Sequence, residues 1–299
     1  MAVDRNLLLA RQFAPSEHVY SHRDVMLYAL GVGLGQDPAD ENQLPFVYEG
    51  HRGPMVLPTF AMVLAYPGFW AKAPDTGIDW RRLVHAEQSF VLHAPLPAAG
   101  RVIGHSRVTS ILDKGPEKGA FLTQERDIVD GETGRKLASI AQVSMLRGDG
   151  GCGSSEGAVA AVPHRLPERS PDCICDLPTS AQAALIYRLS GDANPLHADP
   201  VVARAAGFSR PILHGLCTMG VACHAVLRSL LEYDPSRVRG MRVRFTAPVL
   251  PGDTLRTELW RDGEVVSFRT TAVERQVAVL GAGRIDIAPA MAMTSALHG

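Results

Sequence analysis

At 299 residues, with 46% hydrophobic and 20% charged side chains, the chain is long enough for two ordinary domains or one large one around a substantial core. Thirty basic against thirty-one acidic residues leave a formal net charge of −1, which excludes a general field for nucleic acid and leaves any anionic ligand to a local cluster. Five cysteines (Cys152, Cys173, Cys175, Cys217, Cys223), an odd number without C-x-x-C spacing, argue against a disulfide framework or a zinc knuckle and fit reduced thiols.

The longest apolar runs, such as FAMVLAY at 60–66, fall far short of the roughly 20 residues that span a bilayer. No basic segment followed by an apolar one opens the chain, and Ala296-Leu297-His298-Gly299 is not a peroxisomal SKL-type address, so the expectation is a soluble cytoplasmic protein.

In chain order, an amphipathic helix over Arg23 to Leu30 leads through the polar loop GVGLGQDPADE to a longer apolar helix. Strands with β-branched alternation follow at 86–94, 101–115, 119–130 and 137–146. GDGGCGSSEG (148–157) and AVPHRLPERSPD (161–172) bury little and read as a linker. A second helix over Ser180 to Leu189 opens the same order again. A polar loop holds GDANPLHADP (191–200), a long apolar helix spans 217–231, and strands follow at 241–247, 254–262, 264–275 and 277–286.

Three weak anchors repeat in the same order across the linker. LYALGVG at 27–33 matches IYRLSGD at 186–192, LPTF at 57–60 matches LHGL at 213–216, and APLPAAG at 94–100 matches APVLPGD at 247–253. The offsets drift only from 159 to 154, as in a duplicated domain. A long helix against successive antiparallel strands, twice over, is an α+β architecture in which each sheet wraps its own helix.

The second half carries the chemistry. Asp199-Pro200 starts a short helix that Gly207 ends, and GDANPLH forms the loop before it. Asn194-Pro195 favours a tight turn that aims Asp192 and His197 at one place. A turn in which Asp192 caps backbone amides and His197 is a surface residue fits the bare motif equally well. RPILHGLCTMG (210–220) adds a His-Gly pair at the N-terminus of the long helix, where free N–H groups and the helix dipole favour developing negative charge. Gly215 lets a ligand approach the main chain closely. An acid/base pair and an oxyanion donor are the parts needed to move a proton at one carbon and water at its neighbour, beside a carbonyl.

The run YRLSGDANPLHADPVVARAAGFSRPILHGLCTMG resembles the signature of the MaoC-like, R-specific (type 2) enoyl-CoA hydratases, of the hot-dog superfamily. DVMLYALGVGLG, LPFVYEG, VLPTFAMVL, LVHAEQSFVLHAPLP, ILDKG and RFTAPVLPGDTLRTELWRDGEVVSF resemble the two-hot-dog, eukaryotic-type branch, so the resemblance covers most of the chain. It implies an α+β double hot-dog. Residues 1–147 would form a catalytically silent hot-dog shaped for the acyl tail, 148–172 a linker, and 173–299 the catalytic hot-dog. Over Asp192 the first half has Gly33 and no N-P-x-H.

The resemblance further implies that Asp192 and His197 hold the water as an acid/base pair, with Asn194 as an orienting partner and the Gly215 amide as oxyanion donor. Either Asp192 or His197 takes the water proton; the motif leaves that open. The reaction is reversible syn hydration of a trans-2-enoyl-CoA to the (3R)-3-hydroxyacyl-CoA, with no cofactor beyond the substrate's own coenzyme A and no metal. The partners implied are an acyl-CoA thioester and a second copy of the chain in a homodimer, with no nucleic acid and no membrane. Alternatives are a carrier-protein thioester or steroid-side-chain acyl-CoA dehydratase, a non-catalytic acyl-CoA-binding partner subunit and, less well matched, a hot-dog thioesterase.

Coenzyme A phosphates call for cations, and Arg244 and Lys114 are the candidates, although solvated charge on strand ends explains each as well. His214 and Phe245 are further candidates for substrate contact, and Tyr187 and Phe245 also read as core. Gly31, Gly33 and Gly35 do not make a dinucleotide loop, because residue 36 is glutamine and a helix precedes them. No G-x-S-x-G is present and Cys217 lies inside an apolar helix, so a nucleophile is lacking.

Overall fold

A short helix α1 (Arg5–Leu9), capped by the Asp4 carboxylate, precedes strand β1 (Ser16–Tyr20) and helix α2 (His22–Gly31) in the computed structural model, which describes residues 3–50 and 53–289. Residues 296–299, read above for a targeting address, lie outside the described residues. After the single turn α3 (Leu44–Val47) and a 3-10 turn at Pro58–Met62 come β2 (Leu83–Leu92), β3 (Gly100–Asp113), β4 (Ala120–Asp130) and β5 (Lys136–Leu146). The second half has β6 (Cys173–Pro178), α4 (Ala183–Tyr187), α5 (Pro200–Ala205), α6 (Gly215–Leu230), β7 (Val238–Phe245), β8 (Thr254–Asp262), β9 (Val265–Ala272) and β10 (Val277–Ile287). The α+β class and the double hot-dog follow. In β4, Ala120, Leu122, Gln124, Arg126 and Ile128 are buried while their neighbours are partly exposed, the period of two that a half-buried strand requires.

Two expectations are corrected. The sheets are not separate: ten strands form one antiparallel sheet in the order β1-β3-β4-β5-β2-β7-β10-β9-β8-β6, joined where β2 pairs with β7. Glu87 stands opposite Arg244 at that seam, and its Oε1 accepts from Arg244 Nε at 2.6 Å. Among its described residues the first half also lacks the long apolar helix. Its run PTFAMVLAY lies between Pro58 and Pro67, so only one 3-10 turn forms where a helix would need more than two turns without proline.

α6 serves both halves. Eleven of its residues are buried, and it packs on β6, β8 and the Pro58–Met62 turn. A Cβ at Gly220 would lie 2.6 Å from Val32 Cγ1 and 3.3 Å from Tyr28 Oη, so glycine is what allows α2 of the other half to approach. The two repeat-anchoring tyrosines, Tyr28 and Tyr187, meet there with ring centroids 5.6 Å apart, both buried. One core runs from Tyr20 to Ile287 through both halves.

The segment between β5 and β6 contains no helix or strand, yet it is bonded down. Asp113 Oδ1 accepts from the amides of Gly115 and Gly151, Oδ2 from that of Gly153, and Trp260 Nε1 donates to Arg169 O. Strands β1 and β6, unforeseen in the sequence, are the two edges of the sheet.

Candidate active site

The loop between α4 and α6 is built from side-chain caps. Asp192 Oδ1 accepts from the Asn194 amide at 3.1 Å, Asn194 Oδ1 accepts from the Leu196 amide at 3.1 Å, and Pro195–His197 closes as a 3-10 turn. Asp199 then caps α5 through the amides of Val201 and Val202. Asn194 is exposed and spends its oxygen on the turn, so it orients His197 through the backbone.

His197 is 8% exposed, and its Nδ1 stands 2.8 Å from the carbonyl of Ile212. A carbonyl oxygen only accepts, so Nδ1 carries the proton and Nε2 keeps its lone pair. Burial holds the imidazole below its ordinary pKa, against the opposing effects of the Ile212 bond and Asp192.

His214, the N-cap residue of α6, is 2% exposed and stacks on His197 with ring centroids 3.7 Å apart at 27°. Its Nε2 lies 3.2 Å from the Asp192 carbonyl and therefore donates. Burial, and next the neighbouring His197, push it down to about 4. Its Nδ1 is buried without a partner, and the other side of the ring meets Tyr187 at 5.0 Å. His214, assigned from sequence to the substrate, is thus enclosed behind the pair. Asp192 Oδ2 is 4.0 Å from His214 Nε2, and one ligand atom from each of Asp192, His197 and His214 falls within 4.8 Å of the others.

Gly215 is the first residue of α6, and among the described residues no acceptor takes its N–H. A Cβ there would stand 3.0 Å from Cε1 and 3.2 Å from Cδ1 of Phe245, whose ring in turn packs edge-on against His85 at 4.7 Å. Phe245 therefore packs at the α6 terminus, beside Gly215. Arg244 is committed to Glu87 across the seam in a half-buried pair. Lys114 is exposed at the end of the β3–β4 hairpin, in a turn fixed by its own amide to Gly119 O. Nothing brings Lys114 to Asp192 or His197.

In the first half, Gly33 has φ +90°, and a Cβ there would be 3.0 Å from Gln36 Nε2. A side chain is strained at that position, and no acid or imidazole takes the place of Asp192. Missed from sequence were the stacking of the two histidines, 17 residues apart, and Tyr66. Burial and next the charge of Asp192 push the Tyr66 hydroxyl up to about 12.

His85, His214 and His224 are each pushed down by burial from 6.5 to about 4. Between those values the unfolded chain binds protons that the folded chain refuses, so stability is complete above about pH 6.5 and drains as the pH falls toward 4. The expected result is a Tm markedly lower at pH 5 than at pH 7.5 in a thermal melt. A flat Tm over that window would mean the three rings are not buried neutral.

The second half, over residues 163–282, matches the MaoC like domain, and residues 18–148 match the MFE-2 hydratase 2 N-terminal domain. "Enoyl-CoA hydratase 2, peroxisomal" of Arabidopsis thaliana is 38% identical over 94% of this chain and 94% of its own length. "3-hydroxyacyl-thioester dehydratase Y" of Mycobacterium tuberculosis is 42% identical over 90% and 92%. The crystal structure of a MaoC-like dehydratase from Phytophthora capsici superposes with TM-score 0.83 at 31% identity, over 96% of this chain and 99% of that one.

Proposed function

The chain belongs to the MaoC-like, type 2 enoyl-CoA hydratase family in its two-hot-dog form and is a hydro-lyase, and we propose that it adds water reversibly to a trans-2-enoyl-CoA to give the (3R)-3-hydroxyacyl-CoA. One observation carries the mechanism: the bond of Nδ1 to Ile212 leaves His197 Nε2 as an acceptor on a ring that has a nitrogen within 4.8 Å of an Asp192 carboxylate oxygen. Asp192 Oδ2 and His197 Nε2 hold one water. Nε2 takes a proton from it as the oxygen attacks C3, and the C2=C3 electron pair moves into the thioester carbonyl. The Gly215 N–H meets the resulting oxyanion, and the positive end of the α6 dipole favours it. The imidazolium then returns its proton to C2 from the same face, so that H and OH add syn and no atom is left over.

Asn194 and His214 are positioning residues in this scheme, the one through the turn and the other through its stack on His197 and its bond to the Asp192 carbonyl. Gly33, at a φ that would strain any side chain, supports a silent first half.

The test is loss of enoyl-thioester absorbance with crotonyl-, octenoyl- and hexadecenoyl-CoA, the product being coupled to dehydrogenases specific for the 3R and 3S alcohols. Turnover giving the 3R alcohol alone is expected. A 3S product, or a folded protein inactive on all three, would sink the reading in favour of a carrier-protein substrate or a binding subunit. No cofactor or metal enters this mechanism, so dialysis against EDTA should leave the rate unchanged. Among the described residues no helix is long and apolar enough to cross a membrane. A homodimer in the cytoplasm completes the proposal; the peroxisomal name of the Arabidopsis relative makes cell fractionation the check on compartment, and sedimentation the check on assembly.

A further inference from the structure

Without a long first-half helix among the described residues, the inner face of that sheet is covered by the segment holding Met62, Tyr66 and Trp70. Two small adjoining cavities of about 30 and 20 Å³ lie over it, both lined by Tyr66, Gln124 and Gln142. The first also reaches Leu216, the residue after Gly215, and Arg126. Leu216 and Arg126 thus border one space floored by β2, β5 and β4, which an acyl chain running from the Gly215 amide has to widen as it enters.

Polar groups interrupt that floor between Leu122, Ile140 and Leu146, where an alkyl tail would need it apolar throughout. Gln88, Gln142 and Gln124 stand in register across the three strands. Each amide has one end held by the protein: Gln88 Oε1 at His85 Nε2, Gln142 Nε2 on Ser144 Oγ, and Gln124 Oε1 under Trp70 Nε1. The opposite ends of Gln142 and Gln124 have no protein partner among the described residues.

Two residues beyond Gln124 on the same face is Arg126, 6% exposed. Its Nη2 donates to Met62 O at 2.7 Å, its Nε is buried without a partner, and its Cζ lies 5.6 Å from the Tyr66 ring centre. Among the described residues no carboxylate pairs with it. Burial lowers its pKa to about 10, which still leaves it charged at neutral pH. An unpaired buried cation is costly, and so is a hydrocarbon laid over unsatisfied amides. Both costs fall if the occupant carries its own acceptors.

We propose that this chain takes enoyl-CoAs whose acyl chain ends in a carboxylate, with Arg126 pairing the distal carboxylate and Gln124 and Gln142 completing its hydrogen bonds. The orientation of the chain rests on the hydratase reading; the preference itself is a matter of binding and can be tested without turnover.

The test is calorimetric titration of the full chain with the saturated monothioesters hexanedioyl-, octanedioyl- and decanedioyl-CoA, against hexanoyl-, octanoyl- and decanoyl-CoA. At one or more lengths the carboxylated thioester should bind at least about tenfold tighter, as expected for a buried charge-assisted pair. Arg126→Met should remove that difference. Equal or weaker binding of every carboxylated thioester to the native chain overturns the proposal, whether or not the variant folds, and makes Arg126 a clamp on the Pro58–Met62 turn. A preference that survives in Arg126→Met overturns the assignment to Arg126. Crotonyl-CoA hydration by the native chain, measured alongside, reports separately on the hydratase reading.

Discussion

Asp192→Asn and His197→Gln are each expected to lower kcat for enoyl-CoA hydration by roughly 10²- to 10⁴-fold, the range for loss of a positioned acid/base group. Both substitutions are chosen to keep the loop. Asparagine at 192 retains a side-chain oxygen for the Asn194 amide, and glutamine at 197 retains an N–H for the Ile212 carbonyl. Neither offers the replaced group's basicity. The double variant should lose little more than the worse single one, because the two act on one water. In the native chain kcat/KM should fall on the acid side with an apparent pKa below 6.5, since burial disfavours the imidazolium that would block Nε2. That limb should vanish in His197→Gln. Initial rates over pH 5 to 8, with Tm measured on the same samples, decide it. Full activity in either folded variant would return the loop to the role of a capped turn.

Much of this was legible because the signals are local. Strand alternation, the Asp199-Pro200 helix start and the Asn194-Pro195 turn each depend on residues a few positions apart. The joining of two sheets at β2 and β7 depends on edges 150 residues apart, and nothing in either strand announces the other. Pro67, nine residues after Pro58, did announce that the first half could not hold a long helix, and the repeat with the second half concealed it. His214 was found, but its enclosure was not: a His-Gly pair looks the same whether its ring faces substrate or stacks on another histidine. Arg126 had a signal of its own. It falls with Gln124 on the inward phase of LTQERDIV, between Leu122 and Ile128, and a charge on the apolar phase of a strand marks either an error of register or a ligand.

Gly215→Ala should separate catalysis from stability. Gly215 is not in the left-handed region, and alanine is the better helix former by about 1 kcal/mol, so the backbone itself does not resist the change. The added methyl meets the Phe245 ring at 3.0 to 3.3 Å, closer than two such carbons rest, and either the ring or the amide must move by a few tenths of an ångström. The ring is backed by His85, so much of the shift falls on the amide that the oxyanion needs. Displacing one oxyanion donor costs roughly 10²- to 10³-fold in kcat, and that loss is expected here with Tm little changed. Phe245→Leu removes the ring atoms that the methyl meets. If crowding displaces the amide, Gly215→Ala with Phe245→Leu should therefore recover part of the rate lost by Gly215→Ala alone, a coupling that a double-mutant cycle reads directly. Additive losses would place the methyl in the path of the substrate. An unimpaired Gly215→Ala would mean that another donor meets the oxyanion.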